Sequence, residues 1–135
     1  MERALSAALR DRGWLRPEHR IGDPNGYMRH VLYVDPRDRF VVSAITWLPG
    51  QQSAVHGHQV WCAFGVAEGE LTEEQFTPSL ERVKTAVVRP GELADRDLEC
   101  KLVHRVSNRT AAPLVSLHLY GVGAARLTTG INRPY

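Results

Sequence analysis

Hydrophobic positions in the first dozen residues recur at helical spacing. Leu5, Ala8 and Leu9 share one side of the stretch from Glu2 to Arg12, which predicts one amphipathic helix. Gly13 and Pro17 end it. The run Gly22-Asp-Pro-Asn-Gly26 is dense in turn residues. From there the period becomes two. Met28 to Val34, Phe40 to Trp47, Val60 to Val66, Leu71 to Phe76, Lys84 to Val88, Lys101 to Val106 and Leu114 to Tyr120 read as short strands. Asp35-Pro-Arg-Asp38, Pro49-Gly50, Gly69, Pro78, Pro90-Gly91 and Asn108 separate them. Short strands at this spacing predict a sandwich or barrel. No helical pattern falls between strands, which disfavours a parallel βαβ architecture. The chain has the length of one domain, with residues 1–25 as helix and turn, 26–121 as barrel core and 122–135 as a tail.

Composition narrows the function classes. The chain has 135 residues, 43% hydrophobic and 24% charged, the balance of a globular protein. Lys+Arg 17 against Asp+Glu 15 leaves a formal charge of +2. The basic residues are arginines except for Lys84 and Lys101, and they scatter without a run. That pattern predicts no nucleic-acid partner. No apolar stretch approaches the ~20 residues of a membrane span, and the charged N-terminus lacks the apolar middle of a signal peptide. Two cysteines, Cys62 and Cys100, make no disulfide framework and fit a reducing cytoplasm. The expectation is a cytoplasmic monomer or homodimer acting on a small molecule.

The chemistry concentrates in Pro49-Gly-Gln-Gln-Ser-Ala-Val-His-Gly-His58. Side chains two apart on an extended chain point the same way, so His56 and His58 can reach one point in space. His104, in another strand-like run, can complete a facial set of imidazoles suited to a divalent transition metal. Most lone histidines are surface or core residues; the paired spacing and the barrel-like chain favour metal. Imidazole serves Fe, Zn, Ni and Cu alike, so the ligands alone do not name the ion. Three neutral ligands leave its +2 charge uncompensated, which favours an anionic co-ligand. Ser116, His118 and Tyr120 alternate with Leu117 and Leu119, and we expect the polar face of this strand to line the metal cavity. Tyr27 and Arg29 likewise share a face. Trp47 and Trp61 flank the motif and are expected in the core. Cys100 shares strand parity with His104 and carries no assigned role.

Pro49-Gly50, then His56-x-His58, then Gly69, resembles the first motif of the cupins. Pro90-Gly91 followed by His104 and Asn108 resembles the second. With Tyr27-x-Arg29, Gly69-Glu-Leu, His104-Arg-Val-Ser-Asn108 and Ser116-x-His118-x-Tyr120, the match from about Gly26 to Gly121 resembles the cysteine dioxygenase, or thiol dioxygenase, family within that superfamily. The resemblance implies an all-β cupin double-stranded β-helix, a small barrel with a short N-terminal helix. It implies Fe(II) held by His56, His58 and His104, with Cys62 where most cupins place a glutamate ligand. It implies Arg29 on a substrate carboxylate with Tyr27 beside it, and a Ser116–His118–Tyr120 relay ending near substrate and O₂. The implied reaction is oxygenation of a carboxylate-bearing thiol, of cysteine or 3-mercaptopropionate type, to a sulfinate. Some members join that tyrosine to a cysteine of the first motif by a thioether. Cys62 is the candidate here, but its short spacing from His58 leads us to expect an unlinked Tyr120. His-Gly-His replaces the His-Asp-His common in relatives, which removes a candidate partner for a ligand histidine but no ligand. Two other readings stay open on the residues alone: another three-histidine metal cupin enzyme (isomerase, lyase or carbon-directed dioxygenase), or a non-catalytic cupin that binds a metabolite.

Overall fold

Leu5 and Leu9 project from one face of helix α1 (Glu2–Arg10) in the computed structural model, which describes residues 2–135; Met1, the first residue of the expected domain, lies outside them. Both leucines are buried against Ala63, Ala67 and Leu117, and each contributes about 1.5–3 kcal/mol by leaving water. The helix stops at Arg10 rather than Arg12. Pro17 does more than end a helix. It opens a 3-10 turn, Pro17–Arg20, because its fixed φ suits a first helical position and it has no N–H to satisfy.

Nine strands follow: β1 (Met28–Val34), β2 (Val41–Trp47), β3 (His56–His58), β4 (Cys62–Glu68), β5 (Leu71–Phe76), β6 (Arg82–Val88), β7 (Val103–Ser107), β8 (Leu114–Tyr120) and β9 (Asn132–Pro134). They form two antiparallel sheets, β1-β2-β8-β4 and β6-β5-β7-β3-β9, closed as a double-stranded β-helix. Four expected strands begin or end elsewhere: β2, β4, β6 and β7. Two more join them: β3, anticipated only as an extended His56-x-His58 pair, and β9, not anticipated at all. The supposed tail contains a 3-10 turn, Ala124–Arg126, and β9, which pairs with β3 through His56↔Pro134, Gly57↔Arg133 and His58↔Asn132. Three residues carry too little periodicity to read as a strand; each becomes one only because its partner is present.

The first sheet has two buried faces. On one, Leu117, Ala63 and Ala67 meet α1. On the other, Ile45, Phe64, Val66 and Trp47 form the barrel core. Register sets which side chains share that inner face. Arg29 pairs with Ile45 and Ile45 with Ser116, while Phe64 pairs with His118 and Cys62 with Tyr120. Gly65 permits the close approach of α1: a Cβ there would lie 2.4 Å from Leu9 Cδ1 and 2.5 Å from the Glu92 carbonyl oxygen. Trp61, expected in the core, is half-buried on the outside, where its indole nitrogen would meet any Cβ at Gly121. Among the described residues no helix is long and apolar enough to cross a membrane.

Glu74 on β5 is 1% exposed, and its carboxylate accepts from Arg105 at 2.9 Å, Arg109 at 2.8 Å and Arg82 at 3.3 Å. Burial pushes its carboxyl up, but the bonds from Arg105 and Arg82 outweigh that and hold it below the usual glutamate value of 4.5. Glu74→Gln is expected to destabilise by about 1–3 kcal/mol near pH 7, since the arginines left behind reach solvent. A group with a lowered folded pKa contributes stability above its unfolded pKa and loses it as pH falls through the folded one. The gap between wild type and Glu74→Gln in urea unfolding should therefore narrow as pH drops below about 4.5. A gap that persists unchanged down to about pH 2 would remove the ionic contribution.

Candidate metal centre

His56 and His58 come from β3, and His104 from the facing β7, where His56 and His104 are direct register partners. The imidazole centroids are 4.7–5.1 Å apart: His56–His58 5.1 Å, His56–His104 4.7 Å and His58–His104 4.9 Å. One ring nitrogen from each lies within 4.8 Å of the others. The expected facial set is assembled.

Each ring is held by its Nδ1. His56 Nδ1 lies 2.8 Å from the Ala54 carbonyl oxygen, His58 Nδ1 2.9 Å from Asp97 Oδ2, and His104 Nδ1 2.7 Å from Glu73 Oε2. A carbonyl or carboxylate oxygen can only accept, so each Nδ1 donates, and in a neutral ring that leaves Nε2 with its lone pair free. His104 Nε2 is buried and has no hydrogen-bond partner. That orphaned atom, in a set of three convergent imidazoles, fits a divalent transition metal. Burial, reinforced by repulsion from His104, lowers His56 to about 4 and lowers His58 as well, so both rings are neutral, ligand-competent imidazoles at neutral pH.

Glu73 and Asp97 were missed by the sequence reading. They are 2% and 5% exposed, and they supply what the His-Gly-His spacing lacks. A carboxylate from β5 and another from the β6–β7 loop thus stand behind the rings of His104 and His58. Asp97 Oδ1 accepts from the backbone N–H of Lys101 at 2.7 Å and of Leu102 at 3.1 Å; Glu73 Oε1 accepts from Gln75 at 3.2 Å. Each carboxylate is thus itself oriented. The alternation of β5 was a signal for Glu73: Leu71, Glu73 and Gln75 share a face, and Leu71 is core. Asp97 lies in a loop with no periodicity to betray it.

Gly57 has its own reason. A Cβ there would lie 2.9 Å from the Tyr135 ring, so β9 and the residue after it pack directly on the ligand strand.

The three histidines open onto a narrow cavity whose empty volume, open mouth included, is ≈ 360 Å³. Tyr27, Arg29, Cys62, His118 and Tyr120 all reach it, as does Asn132 from β9. Ser116 departs from expectation. It is fully buried behind His118 instead of forming the wall, with its Oγ 2.7 Å from His118 Nε2. Leu117, as expected, packs on the opposite face. Cys62 stands opposite Tyr120 in the β4–β8 register, and burial raises both the thiol and the phenol pKa. Cys100 lies outside β7, in the preceding loop with φ +57°, so strand parity does not apply to it. The Arg29 guanidinium carbon lies 5.5 Å from the Tyr120 ring centroid, and its Nε is buried without a partner. A cup of imidazoles and an unpartnered guanidinium N–H on the same cavity suit a small bifunctional anion.

The family model described as cysteine dioxygenase type I matches residues 12–125. A protein from Thermus thermophilus is similar in structure (TM-score 0.64) at 20% identity, over 81% of this chain and 97% of that one. An uncharacterised protein with a double-stranded β-helix domain from Klebsiella pneumoniae has TM-score 0.63 at 21% identity, over 80% and 87%. A cupin superfamily protein from Desulfitobacterium hafniense has TM-score 0.60 at 11% identity, over 76% and 83%. At these identities the structures establish the cupin fold.

Proposed function

The chain belongs to the cysteine dioxygenase type I family, and from that premise we propose that it oxygenates a small carboxylate-bearing thiol to its sulfinate. The observation that carries this reading is a pair of unpartnered buried atoms, His104 Nε2 and Arg29 Nε, on residues that line one small cavity. One awaits a metal and the other an anion.

In this reading His56, His58 and His104 hold Fe(II) through Nε2. When bound, iron supplies the redox chemistry that joins O₂ to sulfur, a task no side chain performs. Everything else falls to the protein. Arg29 takes the carboxylate, for which its planar fork gives paired N–H donors. Tyr27, whose ring is 4.5 Å from that of Trp47, closes the side of the cavity beside Arg29. A metal held by the three histidines would favour the thiolate form of the substrate, whose proton would leave to solvent. Both oxygen atoms of O₂ end on the sulfur, so no external reductant is consumed. Tyr120 donates a hydrogen bond to the reacting atoms, and Ser116 and His118 hold it there. Ile45, Phe64 and Val106 line the apolar wall and exclude water, which strengthens each polar contact. Cys62 remains a thiol and takes no part as a ligand. Among the described residues that line the cavity none is a carboxylate able to receive an ammonium group, which favours a thiol acid of the 3-mercaptopropionate type over one that must bind as a zwitterion.

The test is anaerobic loading with Fe(II), followed by oxygen uptake over a series of small thiols: 3-mercaptopropionate, cysteine and cysteamine. The expected result is one O₂ consumed per carboxylated thiol, with a product heavier by two oxygen atoms and fastest turnover for 3-mercaptopropionate. Iron-loaded protein that consumes no oxygen with either carboxylated thiol would overturn the reading.

A further inference from the structure

We propose that Trp47 and Ser116 lock His118 as the tautomer protonated on Nδ1, and that this fixes the Tyr120 hydroxyl as a hydrogen-bond donor aimed into the cavity. The weight of that direction for catalysis rests on the thiol reading above; the tautomer does not.

The chain of bonds has one consistent direction. Trp47 Nε1 lies 2.9 Å from Ser116 Oγ, and an indole nitrogen can only donate. Ser116 Oγ lies 2.7 Å from His118 Nε2. Tyr120 Oη lies 3.2 Å from His118 Nδ1. Ser116 and His118 are 0% and 5% exposed, so bulk water does not complete their bonding. Ser116 therefore has one acceptor for its hydroxyl proton among the described residues, and that acceptor is His118 Nε2. The opposite order, with Nε2–H donating to Ser116, would put two donors on Oγ and leave a buried hydroxyl proton with no acceptor. Once Nε2 accepts, a neutral imidazole must carry its proton on Nδ1, which then donates to Tyr120 Oη. Burial together with the nearby Arg29 charge keeps His118 neutral, well below its ordinary pKa.

Tyr120 is left with its own proton. Its neighbour Arg29 has donors only and cannot accept it. The proton therefore points to whatever occupies the cavity. Two consequences follow. His118 is not a base toward Tyr120, because the nitrogen facing the phenol is already protonated. Tyr120 stays a phenol and supplies a fixed donor, in line with the upward shift that burial imposes on it. Trp47 becomes a positioning residue: its N–H occupies the Ser116 lone pair on the far side, turns the hydroxyl proton toward His118, and polarises that bond.

The measurement is two-bond ¹H–¹⁵N correlation of the histidine rings at neutral pH, in metal-free and in Zn²⁺-loaded protein. The His118 signals are identified by their loss in His118→Gln. The expected pattern is a pyrrole-type Nδ1 and a pyridine-type Nε2 moved from its free position by the Ser116 bond. A pyrrole-type Nε2, or a doubly protonated ring, overturns the proposal. Ser116→Ala should move Nε2 toward the free pyridine value, and Trp47→Phe should move it part of the way. An Nε2 position unchanged in Trp47→Phe removes Trp47 from the chain. Oxygen uptake plays no part in these readouts, so a protein that turns over no thiol can still show the locked tautomer, and an active one can fail to.

Discussion

His104→Ala is expected to lose most of the metal that the wild-type protein retains. Structural Zn²⁺ sites with four ligands bind with about 10–16 kcal/mol, or roughly 3 kcal/mol per ligand, so one ligand of three corresponds to at least about 100-fold in affinity. His104 is the most exacting of the three to remove. Its Nε2 is the orphaned atom, and its Nδ1 bond holds Glu73 at 2.7 Å. Glu73→Gln separates the two contributions. Glutamine can still accept from Nδ1 through its carbonyl, so ring orientation survives while the buried negative charge goes. The expected loss in that variant is about 10–100-fold, the range for partners of ligand histidines. Competition titration with a chromophoric chelator, using Zn²⁺ or Fe(II) and thermal unfolding as a check on folding, measures both. Full metal occupancy in His104→Ala would remove it from the ligand set. An unaltered affinity in Glu73→Gln would mean that the carboxylate orients the ring and contributes no charge compensation.

The second large effect concerns recognition. Arg29→Ala should weaken binding of carboxylated thiols by about 2–5 kcal/mol, the cost of leaving one partner of a desolvated ion pair unmatched. In fold terms this is roughly 30-fold to a few thousand-fold. Cysteamine, with no carboxylate, should lose far less. Arg29→Lys should recover part of the loss, because a point charge attracts a carboxylate but cannot pair with it through a planar fork. The comparison matters because Arg29 also lies over the Tyr120 ring, and losing that contact disturbs any ligand equally. Equal losses for mercaptopropionate and cysteamine would place Arg29 in the support of Tyr120 instead of in substrate recognition.

These two experiments probe residues of different legibility. His104 was readable as a third ligand only as a candidate that the β3–β7 pairing then brought in. His56 and His58 were readable because a strand has a fixed period, so His-x-His converges whatever else the fold does. The polar face of β8 was readable for the same reason, once the leucines between its polar residues were assigned to the other side. Tyr27 and Arg29 needed more. Their parity said that they share a face; the family resemblance supplied the claim that the face is a site. Asp97 lay beyond both arguments, and for Glu73 the period of β5 gave the face but not the partner. A lone acidic residue in a strand or loop has the same sequence signature whether it faces solvent or a ligand histidine, and only the β5–β7 pairing, with Gln75 opposite His104, brings Glu73 alongside. The errors have a similar origin. Trp61 looks like core because it is large and apolar, but the bend before β4 turns it outward.

By itself, the sequence determined the local quantities: which stretches are extended, which faces are apolar, where the chain turns, and that the imidazoles of His56 and His58 point the same way. All of these follow from interactions between residues close along the chain, or from side-chain period alone. Tertiary structure alone decided what depends on partners far apart in sequence. It turned residues 132–134 into a strand by giving them β3 as an edge, covered Gly57 with Tyr135, and supplied two carboxylates from distant segments to orient His58 and His104. It also placed Trp47 against Ser116, 69 positions away. A buried polar atom must find a partner, but the chain does not announce which one. That choice is made by register and closure, when the two sheets meet and each ring nitrogen is left with the single acceptor or donor within its reach.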